Sequence, residues 1–277
     1  MIAGGFAAGV FGSLLGLGGG VLIVPLLTLG FGLPLREAVG VSLVAVIVTS
    51  SASAGVYLER HVANLRLGMT LELFTATGAL VGGLIAFALS DQVLAGLFTI
   101  LLIYTAFTMA RRREPSPSST AVADGAADPS ADAAPRVPPA SAAPPSVVQP
   151  ERPTYAVRNL PAGIVGSLFA GVISALLGIG GGLIKVPLMN IVMGVPLRVA
   201  TATSNLMIGI TASASAIIYL VRGGIDPYVA GPTAVGVFFG ASLGSRTAHR
   251  IDVRILRLLF VGVLLVTAWQ MAMRALG

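Results

Sequence analysis

Laid against itself with a shift of 162 positions, the chain places Gly16-Leu17-Gly18-Gly19-Gly20-Val21-Leu22-Ile23-Val24-Pro25 on Gly178-Ile179-Gly180-Gly181-Gly182-Leu183-Ile184-Lys185-Val186-Pro187. About half of the positions from 9 to 60 match their shifted counterparts without a gap, including Pro34/Pro196, Arg36/Arg198, Ser42/Ser204, Thr49/Thr211 and Tyr57/Tyr219. One unit is therefore used twice. Each copy is overwhelmingly apolar and is interrupted by a glycine run and a proline at the same place, a pattern that points to a membrane transporter with its site between two halves.

Composition supports the bilayer as solvent. Hydrophobic residues make up 55% of the chain and charged residues 10%, with a mean hydropathy of +0.92, more apolar than a soluble domain of this length can hide. Apolar stretches over 2–35, 67–90, 93–110, 160–197 and 255–273 approach or exceed the roughly 20 residues of a spanning helix. The 2–35 stretch lacks a charged leader and its counterpart lies mid-chain, so it reads as retained in the membrane rather than cleaved. Cysteine is absent, which removes disulfides, thiolate metal sites and cysteine nucleophiles from consideration. The net charge of +6 comes mostly from arginines flanking apolar stretches, as topology signals facing cytoplasm and anionic lipid do. Nucleic-acid binding is not expected.

Residues 111–157 switch to Ala, Pro, Ser and Asp, the composition of a disordered tether. The expected organisation is a first transmembrane repeat over 1–110, a linker over 111–157 and a second repeat over 158–277. Arginine counting sets the expected topology. If every apolar stretch were a simple span, positive charges would divide ten to six. If the first stretch of each half goes in and returns at its glycine run, all arginines except Arg36, Arg222 and Arg274 fall on the linker side, thirteen against three. The positive-inside rule then favours an inverted repeat with a cytoplasmic linker and both termini outside. The expected fold class is an all-α integral membrane protein of two homologous helical repeats, with the first helix of each broken at glycine.

Three adjacent glycines cost roughly 1 kcal/mol each against alanine in a helix, and a break inside a bilayer needs protein or a wet cavity around it. The restarting helix presents N–H groups and a positive dipole end, suited to an anion. Gly18, Gly19, Gly20, Gly180, Gly181 and Gly182 are therefore candidate substrate-binding residues. The spaced glycines of Gly78-xxx-Gly82 and Gly236-xxx-Gly240-xxx-Gly244 read instead as helix contact faces. Lys185 is the only lysine and replaces Ile23 of the first copy. It either snorkels to an interface or stands as a lone cation beside the glycine break, where it would hold an anion without a metal. Ser42, Thr203, Ser204, Asn205 and Asn190 complete the candidate set, with interhelical hydrogen bonding as the alternative role. No cofactor, metal site or catalytic constellation is expected, and intramembrane hydrolysis lacks a nucleophile with its base.

The doubled G-[LI]-G-G-G-x-x-x-V-P-L, each followed by P-L-R-x-A and a helix rich in Ser and Thr, resembles the TauE/SafE family of sulfite exporters and related anion permeases. The likeness covers both halves and omits the linker. It implies a multi-pass protein of the cell inner membrane that moves small sulfur-containing anions, sulfite or an organosulfonate, by alternating access. Import of a related anion such as thiosulfate or sulfoacetate, and a non-transport scaffold, are the alternatives, and a homo-oligomer stays open. With Glu72 the single carboxylate placed inside a span, obligatory proton coupling is not expected. A monoanion leaving a negative interior gains about 2.3 kcal/mol per 100 mV, enough to drive export electrically.

Overall fold

The computed structural model describes residues 1–15, 19–59, 64–111, 157–247 and 253–276. Among them every regular element is helical: α1 (Ile2–Leu15), α2 (Gly20–Pro25), α3 (Leu35–Glu59), α4 (Leu65–Ala88), α5 (Asp91–Arg111), α6 (Leu160–Leu177), α7 (Gly182–Pro187), α8 (Leu197–Val221), α9 (Pro227–Thr247) and α10 (Val253–Leu276). Five stretches of the described residues are long and apolar enough to cross a membrane, in α3, α4, α5, α6 and α8. Exposed Leu, Ile, Val and Phe side chains on α4, α5, α6 and α10 form the outward surface that lipid would cover. The linker expected over 111–157, apart from its two end residues, lies outside the described residues, as do Gly16, Leu17 and Gly18.

Both halves contribute to one compact unit made of Met1–Ala110 and Tyr155–Gly277. They interlock crosswise, with α1 packed on α9 and α6 packed on α4. Missing side chains let the backbones touch. A Cβ added at Gly78 or Gly82 would strike the carbonyl of Leu168 or Val172, and one at Gly240 or Gly244 would strike that of Phe6 or Val10. Leu168 and Phe6 are 162 positions apart, as are Val172 and Val10, so the two cross-packings are the same contact made twice. The repeat-equivalent helices α3 and α8 meet at the centre and run antiparallel, since Gly40 abuts Gly224 while Ser50 meets Gly209 and the Asn205 carbonyl.

The backbone interruptions are also duplicated. Gly19 and Gly181 both adopt left-handed φ, 74° and 79°, a conformation a side chain makes costly. Each carbonyl then accepts the N–H groups three and four residues on, Leu22 and Ile23 in one half and Ile184 and Lys185 in the other. Pro25 and Pro187 supply no donor to the helix, and immediately behind them the chain widens into π-helical segments, Leu26–Gly30 and Leu188–Val192.

Candidate functional site

Ending a helix inside a membrane protein leaves carbonyls without partners, and α6 shows where they go. The Ser174 carbonyl accepts both Gly178 N–H and Ile179 N–H, the Ala175 carbonyl accepts the Tyr219 hydroxyl at 3.1 Å, and the Gly178 carbonyl accepts the Ser42 hydroxyl at 2.7 Å. Ser42 also lies 3.2 Å from the Gly20 carbonyl. One buried serine of α3 thus ties the second glycine run to the first. The runs touch here: a Cβ at Gly20 would collide with the Gly178 carbonyl oxygen. Gly178, Gly180, Gly181 and Gly182 are all buried. The Ser42 hydroxyl donates into this contact, and a second buried hydroxyl, Ser174, lies against Gly181 with no hydrogen-bond partner.

The polar centre lies to one side, around Lys185. Three helices bring it together. Lys185 projects from α7, Glu72 from α4 and Thr211 from α8, and the lysine and glutamate are 3% and 4% exposed. Lys185 Nζ pairs with Glu72 Oε2 and donates to Thr211 Oγ1 at 2.9 Å, while Thr211 donates to Glu72 Oε1 at 2.5 Å. Glu72 reaches this position because Gly68, one turn earlier, lets α4 press on α8: a Cβ there would sit 2.7 Å from Thr203 Cγ2 and 2.9 Å from Met207 Cε. The Asn64 N–H, just ahead of α4, donates to Thr203 Oγ1 at 2.9 Å and secures the same approach.

Lys185 is therefore not the lone cation expected from the sequence. Its charge is matched by a buried carboxylate, as an ion inside a bilayer requires, and it does not snorkel. Beside the pair is a cavity of about 10 Å³ lined by Gly68, Leu71, Ser167, Met189, Thr203, Ser204 and Met207. That is room for about one water and too little for a sulfur oxyanion. Two hydroxyls on its wall, Ser167 and Ser204, are buried and have no hydrogen-bond partner. Orphaned polar atoms of this kind are costly to bury, and here they lie beside a lysine.

The expected site residues divide as follows. Lys185, Thr203 and Ser204 line this cavity, and Gly182 borders it, since a Cβ there would lie 3.7 Å from Ser204 Oγ. Ser42, Gly19, Gly20, Gly180 and Gly181 belong to the neighbouring glycine contact. Asn190 donates to the Val195 carbonyl at 2.9 Å, closing the turn between the π-helical segment and α8. Asn205 is buried, and its carbonyl accepts from Ser50 across the α3–α8 contact. Gly18 lies outside the described residues. Glu72 and Ser167 were absent from the expected set, although one signal for Glu72 was present. A lysine and a glutamate each stranded in apolar sequence need compensation, and each is the other's natural partner. A larger cavity of about 250 Å³ between the α3 and α5 starts contains none of the expected residues. Its carboxylate, Asp91, faces Arg36 at 3.3 Å.

Comparison with known proteins agrees with this architecture. The family described as sulfite exporter TauE/SafE matches residues 1–271. The chain is 25% identical to the probable membrane transporter protein YunE of Bacillus subtilis, over 96% of this chain and 94% of that one. It is 25% identical to a probable membrane transporter protein of Methanocaldococcus jannaschii, over 94% and 90% of the two chains. A shorter match, 34% identical over 31% of this chain and 20% of the other, is to sulfite exporter TauE/SafE family protein 6 of Arabidopsis thaliana. No solved structure matches. A match spanning nearly the whole length, on a multi-pass helical fold, makes this chain a membrane transporter and not an enzyme, and it belongs to the sulfite exporter TauE/SafE family.

Proposed function

We propose that this protein exports a small sulfur-containing oxyanion, sulfite or an organosulfonate, across the cell inner membrane by alternating access, with Lys185 as the anion-binding group. The observation that carries the reading is the buried lysine beside two partnerless hydroxyls, Ser167 and Ser204. Burying such donors has a cost that a packing role does not offset, whereas an oxyanion would accept from all three. The cavity is smaller than the cargo, so binding requires α4, α7 and α8 to part. The antiparallel α3 and α8, equivalent in sequence, support inverted halves that rock about their contact. Together with the arginine bias they support a cytoplasmic linker and external termini. Export follows the family's description; an importer of thiosulfate or sulfoacetate would use the same groups.

The double substitution K185M/E72L tests the assignment, because removing both members of a buried ion pair leaves no orphan charge. Apolar replacement of such a pair is typically neutral or stabilising by about 1–4 kcal/mol. The variant should accumulate in the membrane at the wild-type level and lose sulfite efflux and sulfite tolerance. Full efflux in this variant would reduce the pair to packing.

A further inference from the structure

We propose that Glu72 is the proton site of a one-to-one proton and anion cotransport: the arriving anion takes its place on Lys185, and the displaced carboxylate leaves the exchange protonated. This rests on the reading of Lys185 as the anion-binding group, and it replaces the electrically driven export expected from the sequence.

The argument is one of charge at a fixed place. As a pair, Lys185 and Glu72 sum to zero, and Glu72 occupies the lysine as a resident anion would. A second anion entering an apolar interior beside an ionised Glu72 would leave one uncompensated negative charge, which such an interior strongly disfavours. Uptake of one proton removes it. The balance is Lys185 ammonium with Glu72 carboxylate, plus a monoanion and a proton, giving Lys185 ammonium with the monoanion and a neutral Glu72 carboxyl. Both sides carry zero net charge, and no covalent bond but the new O–H is made.

Thr211 is placed to serve both states. Its hydroxyl now donates to Glu72 Oε1 at 2.5 Å and has the Met207 carbonyl 3.4 Å away on its other side. A protonated Glu72 becomes a donor, and the hydroxyl can accept from it while turning its own hydrogen toward Met207. Among the described residues, α6 carries no titratable group, α7 carries only Lys185, and α8 carries Arg198 in its first turn, about 20 Å along the axis from Thr211, and Tyr219, whose hydroxyl donates to the Ala175 carbonyl. On α4 itself the remaining charge is Arg66, which is exposed. An electroneutral complex gains nothing from the membrane potential, so export would follow the combined outward gradients of anion and proton, and an acidic exterior would oppose it.

The test uses the purified full chain in proteoliposomes, with sulfite and with methanesulfonate, which stays a monoanion across the working pH range. An acidic exterior should drive methanesulfonate inward with one proton acidifying the lumen per anion, and a potassium–valinomycin potential alone should leave the flux unchanged. E72Q should lose pH-driven methanesulfonate accumulation at least tenfold, while E72D keeps the coupling. Wild-type flux that responds to the potential with no change in lumenal pH overturns the proposal even if E72Q fails to fold. Flux of neither anion strikes the transport reading itself and the proposal with it.

Discussion

From Gly19 and from Gly181 onward the two glycine runs follow the same backbone and differ in what surrounds it. Gly19 and Gly181 have the same left-handed φ, and the same pair of N–H groups returns to each carbonyl. In the first half the residue four beyond that glycine is Ile23, fully buried in the main apolar core. In the second it is Lys185. The counterpart of Glu72 is Ala234, that of Ser167 is Gly5, and that of Met207 is Ala45, each 162 positions away. Backbone geometry was thus kept in both copies, while polar chemistry is concentrated in one. The break by itself is a structural joint, and its neighbours decide whether it can hold an ion.

Placing a charge in the dry copy should have the largest effect. I23K puts an ammonium where no carboxylate is available, and an uncompensated buried charge costs about 3–5 kcal/mol. The variant should be nearly absent from the membrane and from monodisperse detergent extracts. Adding A234E rebuilds the second-half pair at the equivalent positions and should recover most of the yield. An I23K protein that folds as well as wild type would show the first break to be wetter than its packing indicates, and the comparison would fail.

A smaller effect separates the two joints themselves. In G20A the new methyl meets backbone, the Gly178 carbonyl and Ile179 Cα at 3.1 Å, and also Val46 Cγ2 at 2.8 Å. Backbone cannot rotate away, so the two runs must separate, at about 2–3 kcal/mol, the upper range for overpacking. In G182A the methyl meets the tip of the flexible Ile208 side chain, with Cγ1 at 3.3 Å, and about 1 kcal/mol should suffice. Thermal unfolding of the two variants in one detergent checks the order, and equal losses would mean that the runs are not in backbone contact.

How much of this the sequence discloses follows from distance along the chain. Helix breaks are local: consecutive glycines followed by proline need no knowledge of neighbours, and the doubling reinforces the signal. The all-helical membrane fold is legible for the same reason, from stretch length and hydropathy. Partnerships are not local. Glu72 and Lys185 are 113 positions apart, and only the cross-packing of α4 on α6 and α8 brings them together. The same holds for Asn190, whose amide donates to the Val195 carbonyl in the turn that follows, a partner that hydropathy does not disclose.

The finest test sets two serines at equivalent positions, Ser42 and Ser204, against each other. Ser42 donates at 2.7 Å to the Gly178 carbonyl, so S42A leaves a buried acceptor short of its donor and should cost about 1–2 kcal/mol in unfolding. Ser204 Oγ has no hydrogen-bond partner, so S204A forfeits no hydrogen bond and should leave the melting temperature unchanged or slightly raised. Its cost should appear only when the anion is bound. One lost hydrogen bond to a charged ligand, about 1.5 kcal/mol, weakens sulfite affinity about tenfold. Loss of stability in one variant and loss of affinity in the other would divide structural from binding duty between two copies of the same residue. The opposite pattern would move the anion from Lys185 to the glycine contact that Ser42 bridges.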